Sequence, residues 1–171
     1  MTGHRDMREL FEKTDRPVFM KMTGADEATL DKMTRWMYSW WGENEGYSLE
    51  AVRSALSHSM QEDRLPQTYG LFLDGEIIGM YQFIYDDLWA RPDIYPWLAN
   101  VYMDEKYRGR GYGRLLMSKI RETAENTGFG EVYLYTELEG LYEKLGWEFL
   151  SEIDTFIEDR RVQRLYRLKI Y

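Results

Sequence analysis

A chain of 171 residues lies within the usual span of one folded unit and is long enough to bury a core without cross-links. It has no cysteine, which excludes disulfides, a thiolate metal site and a cysteine nucleophile, and fits a reducing, cytoplasmic setting. Its 22 basic against 30 acidic residues leave a net charge of −8, which argues against general affinity for nucleic acid, and no apolar run reaches the length of a membrane span.

The first fifteen residues are charged, lack the apolar core of a signal segment, and read as an N-terminal extension with a short helix presenting Met7, Leu10 and Phe11. Pro17 to Met22 is a compact apolar run and predicts a first strand. Ala25 or Asp26 then caps a helix carrying Leu30, Met33, Trp36, Met37 and Trp40 at three- and four-residue spacing. Glycines and acids interrupt that pattern between Trp40 and Tyr47. Ser48 is a good N-cap for a second helix running to about Met60.

Thr68 to Tyr85 holds two strand-like runs joined at Asp74-Gly75, a strong hairpin signal. A polar loop with Asp86 and Asp87 follows, and Pro96 to Met103 is the next strand. A helix is expected from about Gly111 to Asn126 with Gly128 as its stop, then a strand from Glu131 to Thr136 and a short helix from Leu138 to Leu145 ended by Gly146. Two strands close the chain, Trp147 to Phe156 and Val162 to Tyr171. Without linker, repeat or low-complexity segment, this order predicts one α+β unit around a mixed central sheet.

The stretch VYMDEKYRGRGYGRLLM, from Val101 to Met117, reads as strand, tight loop and helix. Gly109, Gly111 and Gly113 let the backbone curl and approach a ligand, while Arg108, Arg110 and Arg114 surround the loop with positive charge; together they favour an anion. The spacing excludes two common nucleotide loops. Gly113-Arg114-Leu115 lacks the Lys-Ser or Lys-Thr of a P-loop, and Arg114 stands where a dinucleotide fingerprint needs a third glycine.

Arg108, Gly111 and Gly113 do satisfy an Arg-x-x-Gly-x-Gly pattern, which resembles the acyl-CoA pyrophosphate loop of the GNAT acetyltransferase superfamily. One strand further on, Leu141-Tyr142-Glu143-Lys144-Leu145-Gly146-Trp147 resembles that superfamily's Leu-Tyr-x-Lys-x-Gly-Phe segment. From Arg108 to Trp147 the two motifs span 40 residues, in the family's order and spacing. The resemblance implies a three-layer α/β/α sandwich with a mixed, mostly antiparallel sheet of about seven strands and four or five helices. It also implies acetyl-CoA as co-substrate, no metal, and direct transfer of an acetyl group to a primary amine.

By the same resemblance, the loop from Arg108 through Gly109, Arg110, Gly111, Tyr112 and Gly113 to Arg114 binds the CoA pyrophosphate, and the backbone of Val101 and Met103 pairs with the pantetheine arm. An amide of that strand, that of Met103 above all, polarises the thioester carbonyl. Tyr142 protonates the leaving thiolate. The general base is left open between Asp87, or its neighbour Asp86, and Glu139; His4 and His58 lie outside both motifs. The two early helices wall the acceptor side, so Trp40, Trp41, Glu43, Glu45 and Tyr47 are the candidate substrate contacts, aromatic faces and carboxylates being suited to a cation. Thr136 departs from the family, many of whose members carry asparagine near that point. The expected acceptor is a small cationic amine such as a polyamine, amino sugar or aminoglycoside. A protein amine and a non-catalytic acyl-CoA sensor are the alternatives. Homodimerisation is common in the family, and the final strand is a candidate for it.

Overall fold

The computed structural model describes residues 16–171; the expected N-terminal helix and His4 lie outside them. Seven strands form one sheet: β1 (Val18–Met22), β2 (Gln67–Leu73), β3 (Glu76–Ile84), β4 (Trp97–Met103), β5 (Glu131–Thr136), β6 (Glu148–Asp154) and β7 (Val162–Lys169), in the spatial order β1-β2-β3-β4-β5-β7-β6. Every neighbouring pair is antiparallel except β4 and β5. The final strand β7 is paired along both edges, so the free edge at that end of the sheet belongs to β6.

Local chemistry explains most boundaries. Asp74 (φ 50°) and Gly75 (φ 80°) form the two-residue turn that pairs Leu73 with Glu76, both in the left-handed region that such a hairpin requires. Asp26 caps α1 (Glu27–Met37) by accepting the Thr29 amide at 2.8 Å, and Ser48 caps α2 (Leu49–Ser57) by accepting the Ala51 amide at 3.0 Å. The expected long helix after the glycine loop is two: α3 (Tyr112–Ser118) and α4 (Ile120–Glu125). They part where the Lys119 amide takes the Leu116 carbonyl at 3.2 Å, a tighter three-residue bond. The fifth helix, α5 (Leu141–Lys144), ends in a Schellman motif: Trp147 and Gly146 amides return to the Tyr142 and Glu143 carbonyls at 3.0 and 3.1 Å, with Gly146 at φ 85°.

The sheet is covered on both faces. Met33, Trp36, Met37, Val52 and Leu56 from α1 and α2 pack on Met22, Phe72, Ile77 and Met80. On the other face Leu116, Ile120, Ala124, Tyr142 and Trp147 pack on Tyr81, Phe83, Val132, Leu134 and Tyr166. The result is the three-layer sandwich expected from the sequence. No helix among the described residues is long and apolar enough to cross a membrane.

Candidate active site

The single parallel contact in the sheet creates the cavity. β4 and β5 meet at Trp97 and Tyr133, where the Tyr133 amide donates to the Pro96 carbonyl at 2.9 Å, and no further residue pair follows. Leu98 to Val101 on one strand and Leu134 to Thr136 on the other then line opposite sides of a cavity of about 550 Å³. On its β3 side, β4 stays paired to the end: the Asp104 amide donates to the Ile78 carbonyl at 2.8 Å. Amide directions alternate along a strand, so the Met103 amide, one residue earlier, turns away from β3 toward the gap.

The glycine loop follows at the end of β4. Gly109 (φ 75°) and Gly111 (φ 86°) both need the left-handed region, and a Cβ at either would meet nothing within 4 Å, so open space lies beside the loop at both positions. The first helical bond runs from the Leu115 amide to the Gly111 carbonyl at 3.1 Å, leaving the amides before it without an intrahelical acceptor. Arg108 folds back: its Nε donates to the Met103 carbonyl at 2.9 Å and its guanidinium lies 5.4 Å from the Tyr102 ring centre. Arg110 stacks over Tyr107 at 5.6 Å, and Arg110 and Arg114 stay exposed. Open backbone, free amides and three arginines suit a diphosphate.

Lys32 on α1 holds the start of this loop. Its ammonium lies 2.9 Å from Asp104 and 2.6 Å from Glu76, and it also donates to the Ile77 carbonyl at 2.8 Å. Desolvation by itself would lower the Lys32 pKa and raise that of Asp104. Their hydrogen-bonded pairing outweighs it, so Lys32 is held above and Asp104 below its usual range. Asp104 also accepts the Lys106 amide at 3.0 Å, bracing the turn into the glycines.

One wall of the cavity comes from the α1–α2 connection. α1 continues as a π-helical turn, Tyr38–Gly42, whose two tryptophans, Trp40 and Trp41, lie against β4. Trp40 packs on Tyr102 (5.7 Å between ring centres), and the Trp41 indole donates to Asn100 at 3.0 Å while its ring meets Tyr47 edge-on at 5.9 Å. Gly42 is required by proximity: a Cβ there would stand 2.8 Å from Val52 Cγ2.

Asp87 enters from the β3–β4 loop. Removal from water pushes its carboxyl up to about 7; Arg160 opposes this, and Glu45 and Asp86 add to it. Arg160, from the β6–β7 loop, bonds Glu45 at 2.5 Å across the cavity. Tyr135 donates to the Asp87 backbone carbonyl at 3.2 Å and fixes the loop against β5.

Tyr142 closes the far side. It is 6 % exposed and lines the cavity from α5, and burial alone pushes its phenol up to about 12. Its ring is clasped by Trp147 and Tyr166 at 5.8 and 5.9 Å. Glu143, next in the chain, accepts the Tyr166 hydroxyl at 2.7 Å, which sets the rotation of the helix.

The structure therefore brings Trp40, Trp41, Glu45, Tyr47, Asp86, Asp87, Val101 and Tyr142 to one cavity. Glu43 and Glu139 lie off its lining, and Glu139 is an exposed side chain 3.8 Å from Arg164. Thr136 lines the cavity, its hydroxyl oxygen accepting the Leu138 amide at 3.1 Å. Asn100, Gln82, Ile157 and Arg160 also line the cavity, outside both sequence motifs. A signal existed for the first two, polar amides inside otherwise apolar strand runs. Arg160 meets Glu45 across 115 residues of chain, and no local pattern announces that. Among the described residues, no group of three or more His, Cys, Asp or Glu side chains is placed to hold a metal ion.

Residues 30–147, which include most of α1, all of α2, β4, the glycine loop and the Tyr142 helix, match the model of the acetyltransferase (GNAT) family. The chain belongs to this family. It is 31% identical over 87 residues to a thialysine N-epsilon-acetyltransferase of Mus musculus, and 32% identical over 81 residues to that of Sus scrofa. These alignments cover 48% and 44% of this chain and 49% and 46% of the relatives, so the chain spans about half the length of the curated relatives it matches. Among solved structures it is similar to an aminoglycoside 6'-N-acetyltransferase complexed with coenzyme A (TM-score 0.68, 12% identity, 90% of this chain and 97% of that one). It is also similar to a GNAT acetyltransferase from Elizabethkingia anophelis with acetyl-CoA bound (TM-score 0.61, 17% identity, 91% and 99%). At these identities the two structures share the GNAT fold.

Proposed function

We propose that this protein is an acetyl-CoA-dependent N-acetyltransferase that transfers the acetyl group directly to a primary amine of a small cationic substrate. The observation that carries the reading is the convergence of the unpaired edge of β4, Tyr142 and Asp87 on one cavity, with the open glycine loop following β4. In this reading Arg108, Arg110, Arg114 and the backbone through Gly109, Gly111, Tyr112 and Gly113 hold the pyrophosphate. The strand edge at Val101 and Met103 aligns the pantetheine arm, as an added strand would be. The Met103 amide stabilises the negative charge that develops on the thioester oxygen.

The bond changes require three proton movements. The amine nitrogen forms a bond to the acetyl carbon as the carbon–sulfur bond breaks. Asp87 takes the ammonium proton, a task helped by a carboxyl tuned to about 7 instead of the ordinary carboxylate range. The sulfur leaves as thiolate and receives the Tyr142 proton, which a phenol raised to about 12 retains across the working pH range, and the resulting phenolate takes the second proton from the acylated nitrogen. Glu139, exposed and paired with Arg164, has no comparable place.

A cationic acceptor is favoured by Glu45, Asp86 and Asp87 together with the faces of Trp40, Trp41 and Tyr47. A cavity of about 550 Å³ is of small-molecule size, and the named activities of the thialysine and aminoglycoside enzymes support the same class. The test is release of CoA thiol with a panel of thialysine, lysine, spermidine, glucosamine, kanamycin and a short lysine peptide. Turnover on a small amine is expected. Turnover on the peptide alone would give the acceptor site to proteins, and acetyl-CoA binding without turnover on any amine would make the chain a sensor.

A further inference from the structure

Along the acceptor wall runs a line of hydrogen bonds with no freedom of direction. The Trp41 indole donates to Asn100 Oδ1 at 3.0 Å, Asn100 Nδ2 donates to Gln82 Oε1 at 2.7 Å, Gln82 Nε2 donates to Thr68 Oγ1 at 2.9 Å, and the Thr68 hydroxyl donates to the Ser59 carbonyl at 2.7 Å. An indole N–H only donates and a carbonyl only accepts, so the two ends dictate which way both amides face. Gln82 is 3 % exposed and Thr68 fully buried, so neither can trade a lost partner for bulk water at low cost.

Asn100 sits where this line crosses β4. Three β4 steps, Ala99 to Tyr102, oppose two on β3, Gln82 to Met80, so the strand bulges there, and Asn100 adopts φ 53°. Asparagine tolerates that conformation better than other residues with a Cβ, but glycine tolerates it better still. Conformation alone therefore does not account for an amide at this point. Beyond the bulge come Val101 and Met103, the strand edge assigned above to the acyl donor.

We propose that Asn100 is a positioning residue that locks the acceptor wall to the donor strand: one side-chain amide, at the bulge of β4, ties the Trp41 loop to the buried Gln82–Thr68–Ser59 line. The role rests on the acetyltransferase reading. The lock makes the distance between bound amine and thioester a property of the sheet, not of the end of a helix.

The test uses Asn100→Gly, which keeps the bulge conformation and removes the amide, Trp41→Phe, which keeps an aromatic ring and removes the donor, and both together. With the best amine of the panel, each single change is expected to lower kcat/KM for the amine about 5- to 10-fold, the range of one hydrogen bond. The double variant is expected to fall no more than about twofold further, because the second change cuts a bond already lost. The acetyl-CoA dissociation constant by calorimetry should stay within about twofold throughout. Wild-type activity in Asn100→Gly, or a double variant whose losses multiply, would overturn the proposal.

A second readout needs no turnover: exchange of the Trp41 indole N–H by NMR, its signal assigned by its absence in Trp41→Phe. Slow exchange in the wild type that speeds at least about tenfold in Asn100→Gly supports the lock, and equal rates overturn it. If the wild type acetylates no amine, the proposed reaction fails, and the exchange result alone decides whether the lock exists.

Discussion

Replacing Asp87 by asparagine separates two consequences of one buried carboxyl. The rise from 3.8 to about 7 spans roughly 3 pH units, equivalent to an upper limit of about 4 kcal/mol at 1.36 kcal/mol per unit. The residue keeps part of its surface toward the cavity, so about 2 kcal/mol is the expected size. The sign follows from proton counts. Between pH 4 and 7 the folded state holds a proton on Asp87 that the unfolded state has lost, so wild-type stability falls as pH rises through this window and levels off above it. An asparagine side chain carries no titrating proton in this range. The variant should thus gain on the wild type from pH 4 to 7 and hold a constant lead above pH 8, a Tm difference of about 4–8 °C for a chain of this size.

Activity should move the opposite way. Loss of the proposed base should lower kcat/KM at pH 8 by about 100-fold or more, and the wild-type decline below an apparent pKa near 7 should disappear from the variant's profile. Thiol release from pH 5.5 to 9.5 and thermal denaturation from pH 4 to 9 measure both. A variant with near-wild-type rate and an unchanged acid limb would remove Asp87 from the chemistry. A Tm difference independent of pH would show that its carboxyl is not desolvated.

Other changes probe the remaining parts. Tyr142→Phe should lower kcat about 10- to 100-fold while the acetyl-CoA KM stays within about twofold, by steady-state kinetics; an equal loss in both parameters would point to packing against Trp147 and Tyr166 instead of proton donation. Gly111→Ala forces a side chain into φ 86° and should cost about 1–2 kcal/mol, appearing as weaker acetyl-CoA binding by calorimetry and a lower Tm. Lys32→Met leaves Asp104 buried without its cation and should destabilise by about 3 kcal/mol in urea titration, with the acetyl-CoA KM raised because the glycine loop loses its brace.

The elements that local chemistry determines were legible in the chain itself. Asp74-Gly75 admits few conformations other than a tight hairpin turn, Asp26 and Ser48 cap where helical spacing begins, and Gly109 and Gly111 take the left-handed angles that only their lack of a Cβ makes inexpensive. The break at Lys119 was not legible, because the helical pattern runs through it and the Leu116 bond is a choice between neighbouring carbonyls. Of the site, the glycine loop and Tyr142 are carried by short motifs. The cavity wall beside the α1–α2 connection depends on how strands splay and loops meet: Glu45, not Glu43, faces the cavity because the chain turns tightly after Gly42, and its partner Arg160 arrives from a loop between the last two strands. Asn100 and Gln82 were visible as polar residues in apolar runs, but their bond to each other depends on a bulge of β4 that spacing does not reveal.

The most direct test of the account is mass-spectrometric analysis of the wild-type protein incubated with acetyl-CoA and the amine panel. Free CoA and mono-acetylated amine in equal amounts, formed only when protein, acetyl-CoA and amine are all present, are predicted. Tight binding of acetyl-CoA with no acetylated product on any amine would contradict the assignment of Tyr142 and Asp87 to catalysis.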